Sequence, residues 1–556
     1  MDGSYTGDEI AIVGMAGRFP GAAGVAELWR NLLDGVDSVH DYTEAELRAL
    51  GLPDRLIADP AHVPYGGRVD GVEGFDAGFF GVPEDEAVRM DPQQRLFVEQ
   101  AWACMEDAGH APGFYDGVVG VFAGSAVNRY FLYRLLAEGR PDDWEERLAP
   151  GWAADYLPAQ TAYRLGLTGP AVAVQTACSS SLVAVCQAAQ SLLDYRCDLA
   201  LAGGVSVIEP RFKHVEGGMV APDGRCRAFD AAAQGAAYGS GVAVLALKRM
   251  EDALADRNHV YGVLRGWAVA NDGAARAGFA APGLEGQAAV VAEALAGAEL
   301  KPGDVGFVEA HGSGTPVGDA IEVAALARVF QGPLMLGSVK TNLGNLDAAA
   351  GAVGLIKAVL AVQTGLIPAN LHFKTKNTDL GDVPFVIPQQ TVTWEDPIRR
   401  AGVSSFGLGG TNAHVIVEQP PEPPERPPVS GRHALPLSAR TPEALSKLAA
   451  ALAAHLTAHP GLRLDDVAHT LWNGRHFFTH RTAVLAEDLP GAVAALATAA
   501  PGTVVPAPRT GGASYGPAER WVRGEPVTPP EHPGARRVPL PGYPFERRTY
   551  WSEIPR

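Results

Sequence analysis

An α/β fold with sheets covered on both faces is predicted by three observations. Short β-rich runs alternate with Ala/Leu-rich helical runs from residue 1 to about 420. The strand-like runs are apolar along their length, as strands buried on both faces are. Two stretches also echo each other: around Cys178 and around Asn345, a strand, a polar turn and an Ala-rich helix follow in the same order, which points to duplicated halves.

Taken in order, "EIAIVGMAG" reads as a buried strand ending in glycine. "QQRLFVEQAWACMEDAG" reads as a helix, "GVVGVFAGSA" as a strand and "SSLVAVCQAAQSLLDY" as a helix. "LALAGGVSV" and "YGSGVAVLALKR" are further strands. The segment from Gly337 to Ala361, "GSVKTNLGNLDAAAGAVGLIKAVLA", reads as a strand, a glycine turn and a small-residue helix. Residues 421–431 form a proline-rich, extended linker. A small α/β unit is expected over 432–505, opened by an amphipathic helix with Thr441 as N-cap and Glu443 in its first turn. The aromatic, proline-rich end, 506–556, is expected to pack across a neighbouring surface.

The 556 residues suffice for two to four structural units, and 47% hydrophobic with 19% charged residues is ordinary for a globular protein. The 65 glycines cluster at motif positions, which suits tight turns. A net charge of −18 disfavours nonspecific binding to nucleic acid or an anionic membrane. Five cysteines without a CxxC pair suggest neither a disulfide framework nor zinc, and fit a reducing cytoplasm. The N-terminal segment has no signal-peptide pattern, and no run of 18 apolar residues lacks a charge.

Three motifs carry chemistry. "AVAVQTACSSSLVAVCQAAQSL" places Cys178 where a strand yields to a helix, so the helix dipole is expected to lower its pKa and ready it for acyl transfer. The bland reading is an inert buried thiol, the expected fate of Cys104, Cys186, Cys197 and Cys226. "VGFVEAHGSGTPVGDAIEVAAL" sets Glu309 and His311 just after a strand, where His311 can donate to an oxyanion or relay a proton; the alternative is a structural turn histidine. No GxxxxGK[ST] is present, so the glycines do not make a nucleotide loop. In "AGVSSFGLGGTNAHVIVE", Phe406 and Gly407 are candidates to build an oxyanion hole with the Cys178 N–H, or Phe406 to gate a pocket; otherwise this is only a turn needing positive φ.

Together "IAIVGMAGRFPGA", "MDPQQRLFVEQAW", "TACSSSL", "PDGRCRAFDAAA", "EAHGSGTPVGDAIE", "SVKTNLGNLDAAAG" and "VSSFGLGGTNAHV" resemble the successive signatures of the ketosynthase domain of modular type I polyketide synthases, over residues 8 to about 420. Residues 432–500 resemble the linker domain between ketosynthase and acyltransferase, and "LPGYPFERRTYW" the segment that follows the acyltransferase. The acyltransferase and a carrier-domain motif are absent between them, so a free-standing ketosynthase is expected. The resemblance implies a thiolase fold of duplicated halves in a five-layer αβαβα sandwich, and a homodimer. It also implies a Cys178 that takes an acyl chain from the phosphopantetheine arm of a carrier protein in trans, with no bound cofactor or metal. His311 matches the family's first catalytic histidine and Lys340 a supporting lysine; Glu309 and Asp319 are supporting candidates. Arg211 and Lys213 are basic groups that could meet an acidic carrier, although surface charge is usually just solvated.

The departure from the family pattern is Asn345, where a second histidine is usual. Asn donates a hydrogen bond but carries no proton in or out. A second departure is Ser240, where many members have Glu. The expected function is intramolecular aldol-type cyclisation of a chain on Cys178, with His311 taking an α-proton and the new alkoxide releasing a lactone. In this the chain is similar to the ketosynthase-like enzymes that close γ-lactam-β-lactone bicycles of the salinosporamide type. The alternatives are decarboxylative condensation with a Cys-His-Asn triad, as in chalcone synthases, a non-condensing transacylase, and a catalytically silent partner protein, which retention of Cys178 and His311 disfavours.

Overall fold

The computed structural model describes residues 7–132, 151, 153–422, 424–427, 431–507 and 516–551. The segment 127–156, which reads from sequence equally as the lining of an entrance or dimer contact and as a plain amphipathic surface stretch, lies mostly outside the described residues.

The first half contributes strands Ile10–Arg18, Val119–Ser125, Ala171–Ala173, Leu199–Ser206 and Gly241–Arg249. The second contributes Gly262–Asn271, Phe307–Glu309, Leu334–Gly337, Arg400–Phe406 and Thr411–Glu418. Numbered within its half, each set has the spatial order 1-5-4-2-3. The pairing senses match too: strand 2 runs parallel to 3 and 4, and strand 5 antiparallel to 1 and 4. The halves join where Ile10–Ile12 pairs with Gly262–Leu264. The echo read in the sequence is therefore a repeated topology.

Helices complete five layers. Pro92–Asp107 and Tyr156–Leu165 cover one outer face, and Leu284–Gly297 and Pro316–Val329 the other. Ser180–Leu193 and Ala350–Thr364 lie between the two halves of this continuous sheet and touch each other. Both are built from small and aliphatic residues because they are enclosed all round. They approach so closely that a Cβ on Gly351 would sit 2.7 Å from the Cβ of Leu182. The Ser181 hydroxyl accepts the Ala352 N–H at 3.0 Å across the gap. The stretch Asp347–Thr364 is long and apolar enough to cross a membrane, but 83% of it is buried inside the fold. Beyond Asp347 at its start it holds one charged residue, Lys357, which pairs with Glu309 at 2.7 Å, both enclosed.

Strands His433–Ala439, His480–Ala486 and Val504–Pro506 form a separate three-stranded sheet. Helix Pro442–Ala458 packs on it, and the Thr441 hydroxyl caps that helix by accepting the Ala444 N–H at 3.1 Å. The last described residues run back over the first half. Arg548–Thr549 pairs with Gly74–Phe75. Arg547 bonds Glu99 at 2.7 Å, and Arg95 donates to the Tyr550 carbonyl. Tyr543 and Phe545 close on Phe79, with ring centroids 4.4 and 5.0 Å apart. The aromatic tail is thus a strap whose apolar side chains are covered by the surface it crosses.

Candidate active site

Cys178 lies in the 3-10 turn Ala177–Ser179, which opens the first central helix. Ala177 has φ +56, a strained value for alanine. The turn is held by its serines: Ser180 accepts the Thr176 N–H at 2.9 Å, and Ser179 donates to the Thr176 carbonyl at 2.8 Å. The Ser405 hydroxyl fixes the Cys178 carbonyl at 2.9 Å.

The repeat places a second such turn opposite. Asp347–Ala349 opens the other central helix, and its first residue, Asp347, has φ +47. Ala177 and Asp347 are thus equivalent positions of the duplicated fold. The Asn345 Nδ2 reaches the Cys178 Sγ at 3.7 Å. Its Oδ1 accepts the Asp347 N–H at 3.1 Å, which fixes the orientation of the amide. The Asn345 backbone is held on both sides, by the Ala237 carbonyl at 2.8 Å and the Gly239 N–H at 2.9 Å. The Asp347 Oδ1 also faces Sγ, at 3.7 Å.

The thiol is 6% exposed. Burial and the Asp347 carboxylate push its pKa up to about 12, against the opposing pull of Lys340 and Asn345. The expected lowering by the helix is thus outweighed, and Cys178 rests as a protonated thiol. Asp347 is itself raised by burial, with Arg129 and Cys178 pulling it down.

His311 stands after strand Phe307–Glu309, as its sequence position suggested. Glu322 accepts the N–H of His311 at 2.7 Å and of Gly312 at 2.8 Å. The Lys340 ammonium donates to the His311 carbonyl at 2.5 Å. Burial, then the Lys340 charge, hold the ring well below the usual histidine range, so it is neutral. The Phe406 N–H donates to His311 Nδ1 at 3.3 Å, which assigns the ring proton to Nε2. In this tautomer His311 presents a donor and not a base. Removal of an α-proton by His311, the expectation from sequence, would need the other tautomer.

Residues 7–253 match the family described as "Beta-ketoacyl synthase, N-terminal domain", and 261–374 its C-terminal domain. Residues 433–496 match "CurL-like, PKS C-terminal". A ketosynthase of the oxazolomycin synthase from Streptomyces albus superposes with a TM-score of 0.87 at 34% identity, over 98% of this chain and 99% of that one. Ketosynthase twelve of the bacillaene synthase from Bacillus amyloliquefaciens gives 0.85 at 33%, over 99% and 100%. The chain belongs to the ketosynthases of polyketide synthases.

Among curated relatives, a phenolphthiocerol/phthiocerol polyketide synthase protein of Mycobacterium tuberculosis is 44% identical over 490 residues, 83% of this chain and 33% of that one. A mycocerosic acid synthase-like polyketide synthase of Mycolicibacterium smegmatis is 40% identical over 547 residues, 92% of this chain and 25% of that one. The chain spans about a quarter to a third of the length of these relatives. Ketosynthases are acyl-transferring enzymes that receive substrate on the phosphopantetheine arm of an acyl carrier protein.

Other candidates of this ketosynthase have structural duties. Glu309 is spent on Lys357 and on the Val339 N–H, the latter at 2.5 Å. Asp319 accepts the N–H groups of Phe229 at 2.7 Å and Gly314 at 3.1 Å, and burial raises it to about 7. The Phe406 and Gly407 N–H groups, expected to face an oxyanion, are engaged: the first by His311, the second by the Thr411 carbonyl at 2.8 Å. Gly407 is needed for close approach, since a Cβ there would lie 2.1 Å from the Thr176 carbonyl oxygen. The Ser240 hydroxyl accepts the Ile208 N–H at 3.0 Å and donates back to its carbonyl at 3.3 Å, which ties down a strand end. Arg211 and Lys213 pair with Glu209 and Asp59. Sequence reasoning missed Glu322, Lys357 and Asp347. The duplicated pattern was the available signal for Asp347, because it marks the position facing the nucleophile's turn.

Proposed function

We infer that this ketosynthase takes an acyl chain from a carrier protein onto Cys178 and cyclises it there by an intramolecular aldol-type step. The observation that supports this is Asn345. Its amide is locked with Nδ2 on the sulfur and Oδ1 on a backbone N–H, so the site has a fixed donor where a proton-carrying imidazole is usual. With His311 neutral and protonated on Nε2, the two side chains offer N–H donors to an oxyanion. The Asp347 carboxylate beside Sγ takes the acidic α-proton of the bound chain, and the enolate carbon attacks a carbonyl of the same chain. The resulting alkoxide attacks the thioester carbonyl, the C–S bond breaks, a lactone leaves, and the Cys178 sulfur takes the proton back from Asp347. No malonyl unit and no second histidine is used.

Decarboxylative elongation is the second reading, favoured by the synthases that the chain resembles over most of its length. A carrier-tethered β-ketoamide chain, offered with and without malonyl-carrier, separates the two. Cyclic product without carbon dioxide supports cyclisation; elongated product with stoichiometric carbon dioxide overturns it. A homodimer belongs to the same proposal: among the described residues no strand covers the outer edge of Ala171–Ala173, where Val172 is 37% exposed. Sedimentation as a monomer at micromolar concentration would remove that part.

A further inference from the structure

The resting site poses a chemical problem. Cys178 holds its proton, His311 offers an N–H, and Asn345 cannot accept one. A thioester exchange nevertheless needs an acceptor for the thiol proton and a donor for the departing pantetheine sulfur.

We propose that Asp347 is a catalytic residue, the carboxylate that takes the Cys178 proton during loading and delivers it to the leaving thiol. Its Oδ1 lies 3.7 Å from Sγ, aligned to accept the S–H. The geometry is built: the residue sits at φ +47 with its N–H on Asn345 Oδ1 at 3.1 Å. Strain of this kind persists where surrounding structure fixes it, and it collects at functional sites. The groups facing the Cys178–Asp347 pair are Arg129, Tyr238 and, from the side of the sulfur, Lys340 and Asn345. The Arg129 guanidinium lies 5.1 Å over the Phe212 ring, which stacks on Tyr238 at 4.8 Å. This wall steadies the carboxylate with one positive charge.

The step balances. Sulfur attacks the carrier thioester carbonyl as its proton passes to Oδ1. The C–S bond to pantetheine then breaks, and the proton moves from Oδ1 to the pantetheine sulfur. Acyl-Cys178, free pantetheine thiol and the Asp347 carboxylate remain. The proposal rests on Cys178 being the acylated residue, and is independent of whether cyclisation or elongation follows.

The test compares two reactions of the same thiol, read by intact mass: loading from an acyl-pantetheine thioester and alkylation by iodoacetamide. Asp347→Asn is expected to slow loading about 10²-fold or more. It should speed alkylation, because the carboxylate that disfavours the thiolate is gone. Asp347→Glu should recover at least part of the loading rate. Loading within threefold of wild type overturns the proposal, as does an equal slowing of both reactions, the mark of a merely structural role. Wild-type protein gives a second reading should the variant not fold. General-base loading flattens with rising pH once the carboxylate is ionised, whereas alkylation climbs about tenfold per pH unit. Loading that climbs tenfold per unit from pH 6 to 9 also overturns the proposal. Absence of any acyl-enzyme in the wild type would sink the loading reading itself.

Discussion

Asn345→His restores the imidazole usual in the family, and its outcome can be worked from the geometry. The histidine Nδ1 falls where the asparagine Oδ1 now accepts the Asp347 N–H at 3.1 Å. That bond survives, and it assigns the new proton to Nε2. The ring carbon then occupies the place of Nδ2, 3.7 Å from Sγ, and Nε2 reaches one bond further into the site. The variant gains a group able to exchange a proton and loses the direct donor on sulfur. Positioned acid–base groups contribute about 10²–10⁴-fold. A buried ring that stays neutral realises the low end, so malonyl-carrier decarboxylation should rise about 10–100-fold. Native turnover should fall about tenfold, a difference near 1.4 kcal/mol, because the donor is displaced. Release of labelled carbon dioxide and mass spectrometry of the native product measure the two sides. Native turnover that improves would refute the view that Asn345 suits a reaction without decarboxylation.

Three further outcomes follow from the same contacts. Iodoacetamide should label Cys178 slowly at pH 8, where a thiol at about 12 is roughly one part in 10⁴ thiolate, with no plateau to pH 9; a plateau near pH 7 would contradict the protonated resting state. Lys357→Met leaves Glu309 enclosed without its cation and should cost about 3–5 kcal/mol, read as a lower urea midpoint, while Lys357→Met with Glu309→Gln should recover much of it. Arg547→Ala removes the strap's cation from Glu99 in helix Pro92–Asp107, whose side chain is 0% exposed; because Arg547 itself is 35% exposed, a smaller loss of about 1–3 kcal/mol is expected by thermal melting.

The architecture was legible because each half carries its own apolar strands and small-residue helix, and the repeat shows in the order of motifs. The partners of Cys178 and His311 were only half legible. Asn345 declared itself by departing from a pattern. Asp347, two residues later, was not singled out, and only the facing turns show that it meets sulfur. The direction of the thiol shift was misjudged for a related reason. Position at a helix start is visible in sequence, whereas enclosure and a carboxylate from the other half are tertiary facts. The same holds for Glu309, which reads as part of the histidine motif but is spent on Lys357, a charge hidden in the middle of an apolar run.

The strap over the first half has a consequence for synthesis. Arg95 sits in an enclosed helix, yet its partner carbonyl at Tyr550 is 455 residues downstream. At about 5–20 residues per second, a ribosome needs roughly 25–90 s to supply it. Until then Phe79, Glu99 and the guanidinium of Arg95 lack the cover they have in the finished fold. The early half of the nascent chain therefore waits with an aromatic, charged seam open, and closure of that seam reports that synthesis has reached the strap.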